Sequence, residues 1–416
     1  MKKNVWIMNH YAGSMFFDKG GRHYNFAKYL RRSGYEPVIF CANSKHGQQK
    51  LFFDNNELCH EHIAGEIATP FVFVKTRAYL GNGKQRVLNM VDFYRNVKKV
   101  AKQYAKEHAT PDIIYASSVH PLTLIAGIQL AKYFGVKCIC EIRDLWPESI
   151  VTYSSRLTKG NPLIQPLYLG EKQIYKKADA LIFTMEGAYD YIVEQGWEKE
   201  IPRSKVHYIN NGVDLETFHY NRDHFPVDDP DLNNPEQFNV VYTGSIRKVN
   251  NLRLLLDAAK KTKNPKIKFL IWGDGDERSA LEQRVQDEGI SNVVFKGKAE
   301  KKYIPSIVSQ ADLNLLHTEM STIFRYGTSN NKLFEYIAAG KPILGTFDVS
   351  HSILEKYDCG WDKDLSDPLA FCNEVEQFFK LPKDRIQELG AHTSEAAEQY
   401  DFCSLTKKLI EILEKV

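Results

Sequence analysis

The sequence lacks a disulfide framework, a long apolar run and a marked excess of charge of either sign. Its seven cysteines are scattered and form no C-x-x-C pair, which argues against both a disulfide scaffold and a structural zinc site. No apolar run approaches the roughly 18 residues that a membrane span needs, and the apolar stretch 5–8 is too short for a signal peptide. With 55 basic and 52 acidic residues, the chain is not expected to bind nucleic acid. A cytoplasmic protein is therefore expected, either free or held peripherally on the inner face of the cell membrane.

The 416 residues are too many for one ordinary domain, and short apolar segments alternate with longer amphipathic segments along the chain. This alternation is typical of parallel sheets that are covered by helices on both faces. The predicted strands lie at 5–8, 38–42, 112–117, 136–142, 180–184, 206–212, 238–244, 266–273, 293–297, 313–318 and 342–347. The sequence therefore predicts an α/β protein of two doubly wound, Rossmann-like domains that face a cleft.

A polar segment at 221–237, rich in Asp, Asn and Pro, interrupts this series and is predicted to link the two domains. The N-terminal domain is then expected to span 1–220, and the C-terminal domain 238–393. Residues 394–416 are predicted to form a last helix that can pack back on the N-terminal domain, although composition alone leaves its position open.

Three glycine-containing segments lie at the carboxyl ends of predicted strands, where doubly wound sheets bind ligands. Glycine lets the backbone approach a ligand closely, and a helix that follows offers free N–H groups to a phosphate. The alternatives are, in turn, a flexible loop, a solvated basic loop and a tight strand-to-helix turn. The candidate residues are Gly20 and Gly21 in the first segment, Gly244, Ser245, Arg247 and Lys248 in the second, and Gly273, Asp274 and Gly275 in the third.

A fourth candidate segment precedes a helix predicted near 330–339. Its residues are Ser329, Asn330, Asn331, Lys332, Leu333 and Glu335. Any of the first three can cap the helix. A glutamate here can accept hydrogen bonds from ribose hydroxyls, although the helix dipole alone also favours an acidic residue in this position.

Candidate catalytic groups follow the strand predicted at 136–142. Strict alternation places Glu141 and Arg143 on one face of that strand and Asp144 beyond its end. A carboxylate there can take a proton from an acceptor hydroxyl, although a carboxylate beside an arginine is usually part of a structural ion pair. His120 is a second candidate base, with a structural role or a ligand contact as the alternative.

Metal ligands are not evident in the pattern. No D-x-D pair occurs where a divalent ion would be expected to hold a diphosphate, and no cluster of His, Asp and Glu has ligand spacing. No metal or other cofactor is therefore expected, and cations and helix N-termini must balance the charge of a departing phosphate.

A basic amphipathic helix is predicted over 84–106. Its cations surround an apolar stripe of Val87, Val91, Tyr94, Val97 and Ala101, and such a face is usually only solvated. The alternative is contact with anionic lipid, which the apolar segment 71–73 could reinforce.

Four motifs, in this order and spacing, resemble the retaining glycosyltransferases of family 4, which have the GT-B fold, over essentially the whole chain. They are N-G-V-D-x-x-x-F at 211–218, G-D-G-x-E at 273–277, V-x-F-x-G at 293–297 with Ala311-Asp312 after it, and E-x-x-A-x-G-x-P at 335–342. Segments 79–90, 141–149 and 326–342 are similar to a bacterial subgroup that assembles O-antigen, capsule and related surface polysaccharides.

The resemblance implies transfer of a hexosyl or N-acetylhexosaminyl group from a UDP-linked donor to a hydroxyl of a lipid-linked saccharide, with retention of configuration. It implies that Gly20 and Gly21 contact the donor diphosphate or the acceptor, and that 273–275 line the base pocket. It also implies that Glu335 binds the ribose hydroxyls and that Lys332 or Arg247 neutralises the diphosphate.

The chain departs from the family pattern in its cations. Ser245 and Asn250 stand where the family often carries Arg and Lys, so Arg247 and Lys248 are the predicted substitutes. Gly327 replaces the first glutamate of the family's E-x7-E pair.

The histidine that follows the family's fourth strand is represented here by Arg143 or Asp144. Two other functions stay open from the sequence. A nucleotide-sugar 2-epimerase has the same architecture and needs no acceptor, and a two-domain solute-binding protein normally needs export.

Overall fold

The computed structural model describes residues 3–152, 154 and 157–416. Its contacts divide the chain into two units, of which the first comprises Met1–Asn210 with Phe402–Val416 and the second comprises Asn211–Asp401. Each unit is a largely parallel sheet with helices. The predicted fold class, two Rossmann-like α/β units, is confirmed.

The first unit is built on eight strands within the described residues. These are β1 (Asn4–Asn9), β2 (Glu36–Ala42), β3 (Cys59–Ala64), β4 (Thr69–Val74), β5 (Ile113–Ser117), β6 (Lys137–Ile142), β7 (Ala180–Phe183) and β8 (Val206–Tyr208). Their order is β3-β4-β2-β1-β5-β6-β7-β8, and β3 pairs with β4 in the antiparallel direction at the edge. Strands β3 and β4 were not predicted from the sequence, because this hairpin breaks the strand–helix alternation.

Helices cover both faces of this sheet. They are α1 (Gly13–Asp18), α2 (Arg22–Arg32), α3 (Lys84–Glu107), α4 (Pro121–Phe134), α5 (Trp146–Thr152), α6 (Gln165–Lys177) and α7 (Ala188–Glu194). The central strands are buried along their length, as expected for parallel strands that carry helices on each side. Local signals set the bounds of α4, which begins at Pro121 and ends before Gly135 in the left-handed conformation.

The second unit holds six parallel strands within the described residues. They are β9 (Phe238–Ser245), β10 (Ile267–Asp274), β11 (Val293–Gly297), β12 (Leu313–Leu316), β13 (Ile343–Gly345) and β14 (Gly360–Asp362). The order β11-β10-β9-β12-β13-β14 is the 3-2-1-4-5-6 order of the Rossmann fold. Its helices are α8 (Leu215–His224), α9 (Leu252–Lys261), α10 (Arg278–Asp287), α11 (Ile304–Ser309), α12 (Asn331–Ala338), α13 (Ile353–Lys356), α14 (Pro368–Lys380) and α15 (Lys383–Gln399).

The polar segment 221–237 lies inside the second unit, whereas the sequence predicted a linker there. Lys296 Nζ lies 2.8 Å from Asp229 and 2.5 Å from Asp231, and the backbone N–H of Val227 donates to Ser306 Oγ at 2.9 Å. The acidic residues therefore anchor this segment to β11. The contact boundary falls at Asn210, before α8.

The C-terminal residues form two helices where a single helix was predicted over 394–416. The first, α15, belongs to the second unit and ends at Gln399, while α16 (Phe402–Lys415) belongs to the first unit. Phe402, Leu405 and Leu409 of α16 are buried in the core that also contains Phe26 of α2. The ring centroids of Phe26 and Phe402 lie 5.4 Å apart, so α16 completes the first unit's hydrophobic core.

Candidate functional site

The second unit carries a pocket of about 480 Å³ at the carboxyl ends of β9, β10 and β11. Eight of the predicted donor-binding residues line it, namely Gly244, Ser245, Arg247, Gly273, Asp274, Gly275, Lys332 and Glu335. Six further residues that line the pocket were not among the predicted site residues, namely Thr243, Trp272, Lys298, Ala299, Lys301 and Ile304. All six lie at or soon after the end of a strand, where ligands of such sheets bind. The predicted strands already indicated these positions.

The glycines of this pocket let two loops pack against each other. A Cβ on Gly273 would overlap the carbonyl oxygen of Gly244, and a Cβ on Gly275 would overlap that of Ile246. Gly244 itself has φ of +148° and would place a Cβ against the side chain of Lys332. These glycines therefore hold the ends of β9 and β10 in close contact, which fixes the floor of the pocket.

Lys332 and Glu335 lie on one face of α12 and both reach the pocket. Lys332 Nζ donates to the Tyr242 hydroxyl at 2.7 Å and lies 4.2 Å from the centre of that ring. Burial lowers the pKa of Lys332 to about 8. Burial likewise raises the pKa of Glu335 to about 7, against the opposing charges of Lys301 and Lys332. The pocket thus holds a cation and a carboxyl whose charges change near neutral pH.

The two positions where the sequence departs from the family's cations contact each other. Asn250 Nδ2 donates to the backbone oxygen of Ser245 at 2.7 Å and to its Oγ at 2.8 Å. This neutral pair orders the loop after β9. The cations that line the pocket are supplied by Arg247 on that loop, by Lys298 and Lys301 after β11, and by Lys332, whereas Lys248 is exposed and does not line it.

Four predicted donor-binding residues shape the start of α12 and do not line the pocket. Asn330 caps the helix, since its side chain accepts the N–H of Lys332 at 3.1 Å. Asn211 Nδ2 donates to the Ser329 carbonyl at 2.7 Å and to Asn331 Oδ1 at 3.0 Å. The fourth, Leu333, is only 1% exposed and packs in the hydrophobic core, so its side chain is not available to a ligand in this pocket.

In the first unit, a buried histidine pair lies beyond β1 and β5, where the strand order reverses. His120 Nε2 lies 2.9 Å from His10 Nδ1, and His10 Nε2 lies 2.7 Å from Asn89 Oδ1. Burial and the charge of Arg86 lower the pKa of His120 to about 3, and burial lowers that of His10 well below its ordinary value. Among the described atoms, His120 Nδ1 has no hydrogen-bond partner. His120 is therefore neutral and can accept a hydrogen bond. Its partner His10, and Asn89 beyond it, were not among the predicted site residues.

Glu141 forms an ion pair with Arg22 rather than with Arg143. Arg22 Nε donates to Glu141 Oε1 at 2.7 Å, and His23 Nε2 lies 3.0 Å from Oε2. Burial alone would raise the pKa of Glu141, but Arg22 and His23 together hold it well below its ordinary value. Arg22 also donates to the carbonyl oxygens of residues 209 and 210 at 2.9 and 2.5 Å. The Glu141 carboxylate is therefore part of a structural ion pair. A structural pair was the alternative to a catalytic role for the carboxylates of this segment.

Gly20 and Gly21 lie directly before that buried pair. Gly21 has φ of +100° and occupies the N-cap position of α2. A side chain there would be strained and would approach Met15. The glycines thus turn the chain from α1 into α2, and their contact with a donor or acceptor stays a prediction.

Asp144 and Arg143 follow β6 at the same edge of the sheet. Arg143 donates its backbone N–H to Ser118 Oγ at 3.1 Å, which holds the end of β6 against the end of β5. Asp144 keeps an exposed side chain at the rim of an apolar pocket. Desolvation by the surrounding protein raises the pKa of Asp144 above its ordinary value, and the positive charges of Arg143 and Arg86 oppose part of this rise.

Two groups of acidic residues are relevant to the prediction that the protein has no metal site. Among the described residues, Asp358, Glu388 and His392 bring possible ligand atoms within 4.8 Å of one another. The two terminal guanidinium nitrogens of Arg385 already donate to Asp358, at 2.8 and 2.6 Å. A D-x-D spacing does occur at Asp274-Gly275-Asp276, at the rim of the second unit's pocket, where Asp274 Oδ1 accepts the N–H of Gly275 at 2.9 Å.

The predicted apolar segment 71–73 is fully buried in β4, so it cannot approach a lipid. Across the described part of the chain, every helix is too short or too polar to cross a bilayer.

Comparisons with known proteins assign each unit to a family of enzymes. Residues 22–217 match the model of Glycosyltransferase Family 4, and residues 237–380 match the model of Glycosyl transferases group 1. TuaH of Bacillus subtilis, described as a teichuronic acid biosynthesis glycosyltransferase, is 26% identical over 225 residues, which are 54% of this chain and 54% of TuaH. The chain thus matches about half the length of that relative.

Solved structures show the same architecture over the whole chain. Sucrose-phosphate synthase of Thermosynechococcus elongatus superimposes with a TM-score of 0.70 at 15% identity, covering 100% of this chain and 99% of that one. HepE of Anabaena in complex with UDP gives 0.67 at 13% identity, covering 100% of both chains. The Escherichia coli trehalose-6-phosphate enzyme bound with UDP-2-fluoro glucose gives 0.70 at 12% identity, covering 100% and 99%. With a family 4 segment in its first unit and a group 1 segment in its second, this chain belongs to the glycosyltransferases of the GT-B fold.

Proposed function

We propose that this protein transfers a hexosyl or N-acetylhexosaminyl group from a UDP-sugar to a hydroxyl of a lipid-linked saccharide, in the assembly of a bacterial surface polysaccharide. The observation that carries the proposal is the pocket of the second unit, in which Lys332 and Glu335 meet the two glycine loops. This pocket lies on the segment that matches the group 1 model. Two structural neighbours hold UDP or a UDP-sugar analogue, and TuaH is described as a teichuronic acid biosynthesis enzyme.

The pocket's chemistry suits a nucleoside diphosphate sugar. A diphosphate needs cations and N–H donors, and Lys332 with Arg247 supplies charge beside the backbone of the loop at Gly244. A ribose needs an acceptor for its hydroxyls, and Glu335 offers one once it is ionised. No divalent ion is needed in this scheme, because the lysine and arginine neutralise the leaving phosphate.

In the proposed reaction, the bond between the anomeric carbon and the β-phosphate oxygen breaks, and UDP leaves with that electron pair. The acceptor oxygen then bonds to the anomeric carbon on the face that the phosphate vacates, so the configuration is retained. The acceptor proton passes to the departing phosphate or to Asp144, the exposed carboxylate beyond β6. His120 stays neutral and positions the acceptor by a hydrogen bond.

The first unit supplies the proposed acceptor side and a contact with the membrane surface. Helix α3 exposes Lys84, Arg95, Lys99, Lys102 and Lys106. Such a face attracts anionic lipid by about 1 kcal/mol per cation near the surface. Co-sedimentation with vesicles that contain anionic phospholipid should exceed that with neutral vesicles and should weaken with added salt.

A donor screen tests the proposal. Purified protein is incubated with UDP-, GDP- and dTDP-sugars, first alone and then with lipid extract, and the products are separated by mass. UDP release that depends on the extract supports the transfer. A new epimer formed from the donor alone, or stabilisation by free sugar without nucleotide, would contradict it.

A further inference from the structure

A second pocket, almost entirely apolar, lies in the first unit beside Asp144. It encloses about 240 Å³, and its walls come from α4, α5 and α6. Leu122 and Ile125 form one wall, and Leu167 and Ile174 form the other. Since a water molecule occupies about 30 Å³, the pocket has room for about eight groups of the size of a water molecule.

The inner end of this pocket offers nothing to a polar ligand. Glu171 lines it, but its two carboxyl oxygens already accept the hydroxyls of Tyr175 and Tyr191, each at 2.5 Å. Burial raises the pKa of Glu171 to about 7, which reduces its charge further. A saccharide placed here would lose its hydrogen bonds to water without replacement, whereas a hydrocarbon would gain by leaving water.

The rim of the pocket has the opposite character. Asp144, whose side chain is exposed, lies there, just beyond the carboxyl end of β6. Arg143 and Arg86 are close enough to Asp144 to act on its ionisation. A ligand with an anionic head and an apolar tail therefore fits this pocket, with its head near the arginines at the rim and its tail in the apolar interior.

We propose that this pocket binds the first part of the hydrocarbon chain of the lipid-linked acceptor, with the phosphate of its head group at Arg143 and Arg86 and the saccharide hydroxyl toward Asp144. The inference rests on the proposed function, because it names the part of the acceptor that the first unit holds. The remaining hydrocarbon lies outside the pocket, where Leu163, just before α6, is 77% exposed.

Gly170 of α6 gives a clean way to fill the pocket. It lines the cavity, its φ is that of an ordinary helix, and a Cβ added there meets nothing within 4 Å. Gly170→Leu should therefore occupy the pocket without strain, and leucine favours a helix over glycine. Gln173→Leu, on the same helix and likewise exposed but outside the lining, is the matched control.

Calorimetry with hexyl, octyl and decyl phosphate, each below its micelle concentration, tests the pocket. For the wild type and for Gln173→Leu, affinity should rise by about fourfold per added methylene, with a negative heat-capacity change. For Gly170→Leu, this dependence on chain length should flatten, and decyl phosphate should bind at least tenfold more weakly. Equal affinity of decyl phosphate for Gly170→Leu and the wild type overturns the proposal, as does an absence of chain-length dependence in the wild type.

Titration of UDP into the same three proteins separates this inference from the proposed function. All three should bind UDP equally, because the UDP pocket lies in the second unit. If UDP binds while the alkyl phosphates do not, only the lipid pocket is wrong. If UDP fails to bind the wild type, the proposed donor is wrong whatever the alkyl phosphates do.

Discussion

Lys332 Nζ and the Tyr242 hydroxyl lie 2.7 Å apart, with the ammonium 4.2 Å from the centre of the tyrosine ring. The two residues come from different elements, α12 and β9, and Gly244 leaves room for the lysine stem between them. Because the ring and the hydroxyl hold the ammonium at the pocket wall, its position is set before any ligand arrives. A preorganised cation is what a leaving diphosphate requires.

Removing this cation should weaken nucleotide binding. A charge-assisted hydrogen bond contributes about 1.5–3 kcal/mol, so Lys332→Met should raise the dissociation constant of UDP by about 10- to 150-fold. Isothermal titration measures this directly. Lys248→Met is the matched control, because Lys248 is an exposed lysine of the neighbouring loop that does not line the pocket. Equal losses in both variants would remove Lys332 from the site.

Glu335 should determine how the pocket distinguishes ribose from deoxyribose. If its carboxylate accepts ribose hydroxyls, 2′-deoxy-UDP should bind the wild type about tenfold more weakly than UDP. Glu335→Gln keeps the shape and one oxygen acceptor but removes the charge, so the ratio between the two nucleotides should fall toward one. A wild-type ratio already near one would show that Glu335 acts only in the structure of α12.

The affinity for UDP should pass through a maximum between pH about 7 and about 8. Below pH 7 Glu335 is protonated and loses its capacity as a charged acceptor, and above pH 8 Lys332 loses its proton and its charge. Lys332→Met should abolish the loss of UDP affinity above pH 8. Glu335→Gln should leave, on the acid side, only the loss of affinity that protonation of the UDP phosphate near pH 6 causes. Titrations from pH 5.5 to 9.5 check both limbs, and a flat profile would contradict the assignment.

Gly273 should not tolerate a methyl group, because the methyl would overlap the carbonyl of Gly244. Gly273→Ala should lower the free energy of unfolding by about 1–3 kcal/mol and should weaken UDP binding as the two loops separate. Gly65→Ala, where an added Cβ meets nothing within 4 Å, should change the stability little. Denaturant unfolding measures the difference, and a Gly273→Ala variant as stable as the wild type would show that the loops can separate at no cost.

The buried pair of Arg22 and Glu141 should contribute to stability in a pH-dependent way. Glu141→Gln leaves the guanidinium without its buried partner, which should cost about 3–5 kcal/mol. Since the pKa of Glu141 is held well below its ordinary value in the fold, the contribution is complete above pH about 4.5 and is lost as the pH falls further. Unfolding curves at pH 7 and pH 3.5 should show the difference between wild type and variant shrinking at the lower pH.

Most strands were predictable from sequence because parallel strands buried on both faces are short, continuous apolar runs. The hairpin of β3 and β4 was not, since β3 reads CHEHIA and has exposed charged positions.

The stripe predicted for α3 was also partly wrong. Val87 was expected on the apolar face but is 55% exposed, whereas Asn89 is buried because it binds His10. A polar residue that is buried for its hydrogen bonds gives no hydrophobic signal.

The site was predictable where its residues follow strands in order and unpredictable where they come from distant segments. Strand ends and a helix start mark the glycine loops and Lys332 with Glu335, and the structure brings these residues together in one pocket. The side chain of Leu333 lies in the core instead, because sequence neighbours on a helix point in different directions, and its contact with a donor stays a prediction. Arg22, the partner of Glu141, is 119 residues away and leaves no local pattern.

In the proposed site, Lys332 and its neighbouring cations hold the diphosphate without a divalent ion. The most direct test is a titration of UDP into the wild-type protein in excess EDTA, repeated with manganese in place of the chelator. We expect the same affinity in both conditions, and a loss in Lys332→Met that manganese does not restore. Binding that disappears in EDTA and returns with manganese would contradict it, and would assign the diphosphate to an ion held near Asp274 and Asp276.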